Sequence, residues 1–166
     1  MPSFAATRLI NPPGSEPRLT EDQVWRGLEK KAREPGRFIK AVKECRVVKD
    51  GQGKITRVVR FVEGPEKREE IQLFAPTIIY FDMYPSTSSS PSSGAAEEPI
   101  ARIANALSYG PPPANDLLLT FTFSMLPHVS DEQAANMSRE ELNKIVGDGV
   151  EMAIEVIRDM VREGEL

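Results

Sequence analysis

From Arg139 to Arg162 the chain places apolar residues at helical spacing: Leu142, Ile145, Val146, Gly149, Met152, Ala153, Val156, Ile157 and Met160. Ser138, with Glu141 three residues on, forms a capping box that fixes where this helix starts. At 1.5 Å per residue such a helix is about 36 Å long, enough to lie across a whole small sheet. Its apolar face must be buried against something, and the rest of the sequence supplies strands.

Phe4 to Ile10 reads as a strand that stops at Asn11-Pro12-Pro13-Gly14. A first helix then begins. Thr20 and Gln23 make another capping box, Leu19 and Val24 flank it as a staple, and Pro35-Gly36 ends it. Val24, Trp25, Leu28 and Ala32 form its apolar face. After Ala41 the period changes. Val42–Lys49 and Ile55–Val62 read as strands joined by the turn Asp50-Gly51-Gln52-Gly53. Lys67–Phe74, Thr77–Tyr84, Ile100–Tyr109 and Leu117–Leu126 follow as further strands. Short loops between successive strands favour an antiparallel meander. The expectation is a single α+β domain over residues 1–166. A curved antiparallel sheet of six or seven strands grips the long C-terminal helix, with the gap between them filled or left as a pocket.

With 166 residues, 40% of them apolar and 28% charged, the chain is long enough for one sizeable core. Net charge is −4 and no basic stripe is visible, which argues against a nucleic-acid partner. The densest basic stretch, Arg26 to Lys43, is interleaved with acidic and apolar residues and reads as the wet face of a helix. Cys45 is the only cysteine, so no intrachain disulfide forms. No signal-peptide pattern and no apolar run of about 20 residues is present. A cytoplasmic protein without integral membrane association is therefore expected. STSSSPSSGAA at Ser86–Ala96 is low complexity, and residues 85–98 are expected to form a flexible loop.

The chain resembles a known family in several segments. Ile10-Asn11-Pro12, the run Leu19 to Leu28, Lys31-Ala32-Arg33-Glu34-Pro35 and Phe38 are similar to the start of the acetylaranotin-cluster protein L family. Thr56-Arg57, Arg68-Glu69 and Leu119-Thr120-Phe121-Thr122-Phe123 extend the likeness. That family resembles the START and Bet v 1-like (SRPBCC) superfamily, which holds lipid carriers, polyketide aromatase/cyclases and chaperone activators. The resemblance implies the helix-grip fold. It implies activity only weakly, because one fold hosts many functions, and it carries over no set of catalytic residues.

The residues themselves show no recognisable catalytic constellation. His128 is the only histidine and follows Pro127 in a polar segment, where a surface loop residue is the ordinary reading. Cys45 reads as a buried, inert thiol. One histidine and one cysteine cannot assemble a zinc site of the usual ligands, and no phosphate-cradling glycine motif occurs, so neither metal nor cofactor is expected. Arg57, Glu69, Arg102 and Asn105 lie within strands, where exposure is the ordinary outcome. Any that face inward must pair or meet a polar ligand group. Arg60 is placed to pair with Glu69 across the Gly64-Pro65 hairpin. Asp82, beside Tyr80 and Tyr84, reads as solvent-facing unless that face lines a cavity. The candidate pocket lining is Arg57, Val59, Phe61, Tyr80, Asp82, Asn105, Phe121, Phe123, Met152 and Val156.

The favoured reading is a binder of an apolar small molecule, such as a lipid or polyketide-like metabolite. A cyclase or dehydratase using the same pocket, and a protein-interaction module with a filled core, are the alternatives. Two glycines interrupt the last helix. Gly149 lies on its apolar face and is expected to be a packing glycine, while Gly147, off that face, is expected to be a hinge or merely tolerated.

Overall fold

A computed structural model describes residues 3–85, 98–124 and 131–166. His128 and Ser86–Ala96 lie outside the described residues. Seven strands form one antiparallel sheet: β1 (Phe4–Leu9), β2 (Val42–Gly51), β3 (Lys54–Phe61), β4 (Lys67–Phe74), β5 (Ile78–Pro85), β6 (Ala101–Tyr109) and β7 (Leu117–Phe123). Their order is β1-β7-β6-β5-β4-β3-β2, a meander from β2 to β7 with β1 added beside β7. The helices are α1 (Glu21–Arg33), the short α2 (Asp131–Asn136) and α3 (Arg139–Arg162). A single turn of 3-10 helix (Pro35–Arg37) follows α1. α2 has no counterpart in the sequence reading.

Both expected capping boxes are present: the side chains of Thr20 and Ser138 accept from the backbone N–H of Gln23 and Glu141, and both boxes close reciprocally. The β2–β3 turn places Gln52 at φ 55° and Gly53 at φ 72°. Two successive positive φ angles suit the right-handed twist of a hairpin, and glycine adopts the second without strain.

α3 runs along β1 and β7 and crosses α1, while the C-terminal end of α1 reaches over β3. The long helix therefore covers one side of the sheet instead of its whole width. Its buried face is Leu142, Val146, Val150, Ala153, Ile154, Ile157 and Met160, with Ile145 46% exposed. This face is rotated from the expected one because α3 is packed on its β1 flank as well as from below. Arg158 is buried on that flank and donates to the carbonyls of Ile10 (2.7 Å) and Pro17 (2.6 Å). Those bonds tie α3 to the segment that leads from β1 into α1.

The glycine expectations are reversed. Gly149 is exposed, and a methyl there would meet nothing within 4 Å. Gly147 is buried, and a methyl there would collide with the Arg8 guanidinium. Arg8 reaches across α3 from β1, donating to Asn143 Oδ1 (3.2 Å), the Asn143 carbonyl (3.1 Å) and Glu151.

Candidate functional site

The concave face of the sheet is read from its register. Phe4 pairs with Phe123, Phe123 with Ile103, Ile103 with Phe81, Phe81 with Ile71, and Ile71 with Ile55. Strand alternation puts all six on one side in a row across the sheet. The adjacent row runs Ala6, Phe121, Asn105 and Ile79. On the other side of the first row lie Arg57, Glu69 and Met83. The middle of this surface holds ionisable side chains buried among apolar ones.

Lys31, near the end of α1, points into that middle. It is 7% exposed, and its Nζ donates to Asn105 Oδ1 at 2.7 Å. The ammonium also stands over two rings, 4.8 Å from the centroid of Phe81 and 4.7 Å from that of Phe121. Burial, then the neighbouring Arg57 charge, lowers the Lys31 pKa to about 7, with Glu69 opposing. Arg57 sits beside it, 3% exposed. Its Nε donates to Glu69 at 2.5 Å, and its Nη1 donates to the carbonyls of Lys31 (2.9 Å) and Ala32 (2.7 Å). The last turn of α1 is thus capped by an arginine from the sheet, which satisfies carbonyls that a helix end leaves without partners.

Arg57, Glu69 and Asn105 are buried, not exposed, and the partner of Glu69 is Arg57, while Arg60 pairs with Glu44. Arg57 and Glu69 are directly cross-strand, so no diagonal reach is needed. Cys45 is half-buried instead of fully buried. Burial raises its thiol pKa, and its Sγ contacts the Arg33 carbonyl at 3.8 Å.

Val59 and Phe121 are buried on the concave face, and Phe61 and Phe123 are half-buried there. On α3, Val156 packs against the core cluster and Met152 is half-buried. Tyr80 and Asp82 alternate with Phe81 and therefore stand on the convex face, apart from the cluster. Asp82 is only 4% exposed there, held by Arg102 through bonds of 2.5 and 2.7 Å, so it is neither solvated nor in the concave site.

Sequence reasoning missed Lys31. The signal was present: Lys31 falls three residues after Leu28 and seven after Val24, on the apolar face of α1. Its charge led to the wet-face reading of the Arg26–Lys43 stretch, which fails at this residue.

Phe4, Ile103 and Phe123 form one end of the concave face. All three are half-buried and pack against the core. The start of α3 stands at this end, with Arg139 Cζ 5.9 Å from the Phe4 ring centroid. Ile103 is two residues from Asn105 along β6, roughly 6.6 Å at strand rise. A half-buried apolar patch and a buried polar group are therefore neighbours. A separate groove of about 380 Å³ lies on the outer flank of α3, lined by Arg8, Leu9, Pro12, Glu151, Ile154, Glu155 and Arg158. It is not between α3 and the concave sheet.

The family model for acetylaranotin biosynthesis cluster protein L matches residues 4–164. The chain belongs to this family. The match takes in every strand and both long helices. No curated protein matches it in sequence. Solved structures share the fold of this acetylaranotin-cluster protein L member at low identity. The di-domain ARO/CYC StfQ from the steffimycin biosynthetic pathway is 10% identical with a TM-score of 0.59, and 97% of the chain spans 50% of StfQ. A protein from Thermus thermophilus is 15% identical with a TM-score of 0.56, over 99% of this chain and 100% of that one. Ara h 8.0201 is 12% identical with a TM-score of 0.50, over 97% of both. The seven-stranded antiparallel sheet with its long C-terminal helix is the helix-grip, Bet v 1-like fold. Among the described residues no helix is long and apolar enough to cross a membrane, and no group of three or more His, Cys, Asp or Glu side chains is placed to hold a metal ion.

Proposed function

We propose that this chain binds an apolar small molecule on the concave face of the sheet, with Phe4, Ile103 and Phe123 as floor and α3 as wall. The observation that carries this reading is the half-buried apolar row lying directly beside the buried Lys31–Asn105 pair. Binding sites pair a large apolar surface with a few placed polar groups. Phe61, Phe121, Met152 and Val156 complete the proposed lining, with Val59 and Arg57 behind it. Tyr80 and Asp82 are outside it. The family's name and the ARO/CYC neighbour support a ligand from secondary metabolism; a cytoplasmic location is part of the same proposal.

The test is a fluorescence titration with N-phenyl-1-naphthylamine, a neutral apolar probe. Saturable binding is expected, weakened at least about tenfold by Ile103→Trp, which fills the floor, since a bulky group in a binding pocket displaces the ligand. Phe74→Trp, at an exposed site, is expected to leave binding unchanged. Absence of saturable binding, or equal binding by the Ile103 variant, overturns the reading.

A second reading, a cyclase or dehydratase on the same face, is favoured by one observation. The amine of Lys31 titrates near neutrality, where a general base works best. Turnover of a polyketide-like substrate with a pH–rate midpoint near 7 would establish it.

A further inference from the structure

The donors around Lys31 are not balanced by acceptors. An ammonium has three N–H groups, and the described residues give Lys31 one acceptor, Asn105 Oδ1, and two ring faces. Because Oδ1 must face the lysine, the amide nitrogen points elsewhere, and among the described residues Asn105 Nδ2 is buried with no hydrogen-bond partner. With Lys31 as the ammonium, flipping the amide would set a donor against a donor. Asn105 is 0% exposed, so its unpaired N–H is a real cost to the fold.

The charges are unbalanced in the same sense. With Lys31 protonated, it and Arg57 carry two positive charges, and Glu69, the acid set against them, carries one negative charge already bonded to Arg57. Among the described residues those are the charged groups facing Lys31, from β3 and β4. β5, β6 and β7 bring Phe81, Asn105 and Phe121, none of which ionises. The Cys45 thiol of β2 lies near the same pair and is held protonated by burial.

We infer that the ligand carries an anionic oxygen head, a carboxylate, phenolate or enolate, received by Lys31 Nζ and Asn105 Nδ2. This rests on the apolar-ligand reading and names the chemistry of one end of that ligand. Two donors without an acceptor suit an anionic oxygen. A neutral hydroxyl would still need an acceptor for its own proton, and a cation would be repelled by Lys31 and Arg57. The apolar body lies on Phe4, Ile103 and Phe123, one strand step from the head. Bound anion stabilises the ammonium form of Lys31, so binding takes up a proton whenever the free amine is neutral.

Two probes with one aromatic body separate the claims: 1-anilinonaphthalene-8-sulfonate, which is anionic, and N-phenyl-1-naphthylamine, which is not. The chain's net charge of −4 works against unspecific anion binding. The sulfonate is expected to bind at least about tenfold tighter than the neutral probe near pH 6. Its affinity is expected to fall at least about tenfold by pH 8.5, as the competent ammonium form is depleted, while the neutral probe shows no such fall. Lys31→Met is expected to erase both the preference and the pH dependence. Where that variant does not fold, by far-ultraviolet circular dichroism, the wild-type pH profiles decide. Equal, pH-independent affinities in the wild type, or an unchanged sulfonate preference in folded Lys31→Met, overturn the anionic-head inference alone. Failure of the neutral probe to bind saturably overturns the apolar-ligand reading and this inference with it.

Discussion

Burying Lys31 leaves a signature in the pH dependence of stability. The unfolded chain holds this amine at the ordinary lysine value of 10.5, and the folded chain at about 7. Below pH 7 both states carry the proton and the full cost of burying the charge is present. Between pH 7 and 10.5 the unfolded state binds more protons than the folded one, so stability rises with pH. The slope approaches about 1.4 kcal/mol per pH unit, and the rise from pH 7 to 9 sums to about 2 kcal/mol. Lys31→Met removes the titration and keeps most of the volume. It leaves Asn105 without its donor partner, a cost that does not vary with pH. The measurement is urea denaturation of wild type and variant from about pH 6 to 9.5, read by the fluorescence of Trp25, the single tryptophan, which is 6% exposed in the core. The difference between the two stabilities is expected to be flat below pH 6.5 and to shift toward the wild type above pH 7. Parallel curves across the whole range would refute the depressed pKa, and with it the burial of a lone amine.

A methyl group added at Gly27 would lie 2.4 to 2.9 Å from Cγ1, Cδ1 and Cγ2 of Ile157, a fully buried side chain. Gly27→Ala is therefore expected to cost about 1–3 kcal/mol despite its better helix propensity, and to cost at least about 1 kcal/mol less in an Ile157→Ala background, both from denaturant midpoints. Gly149→Ala, with open space around it, is expected to stabilise by about 0.5–1 kcal/mol. Gly147→Ala is expected to be near neutral in the wild type, where Arg8 must give way, and to stabilise by about 1 kcal/mol once Arg8→Ala has cleared the space.

The fold was legible because its signals are local and agree with one another. The capping residues at Thr20 and Ser138, the Gly53 turn and the alternation in Lys67–Phe74 each specify their element without knowledge of the rest. Which face of an element meets which neighbour is set by tertiary packing. That is why the buried face of α3 came out rotated and why the two glycine readings were exchanged. The space beside Gly147 is taken by Arg8, a residue 139 positions earlier, and nothing near Gly147 in the sequence announces it. Asp82 shows the same limit. Its paired burial on the convex face depends on Arg102 standing opposite across the β5–β6 ladder.

The polar site is harder to read than the sheet that carries it, for a further physical reason. Lys31, Arg57, Glu69 and Asn105 come from one helix and three strands, and each alone is an ordinary surface residue type. They become a site through mutual satisfaction: Glu69 neutralises Arg57, Arg57 caps the carbonyls that end α1, and that cap holds Lys31 over Asn105. Docking of α1 and construction of the site are therefore one event. The Gly27–Ile157 contact fixes the other side of α1 against α3 at van der Waals limits, so the helix has little freedom to slide. A burial as costly as that of Lys31 is held in place by these two constraints, while the local pattern leaves one unpaired amide N–H at the centre. The energetic tension in the fold is concentrated at the point where its apolar floor begins.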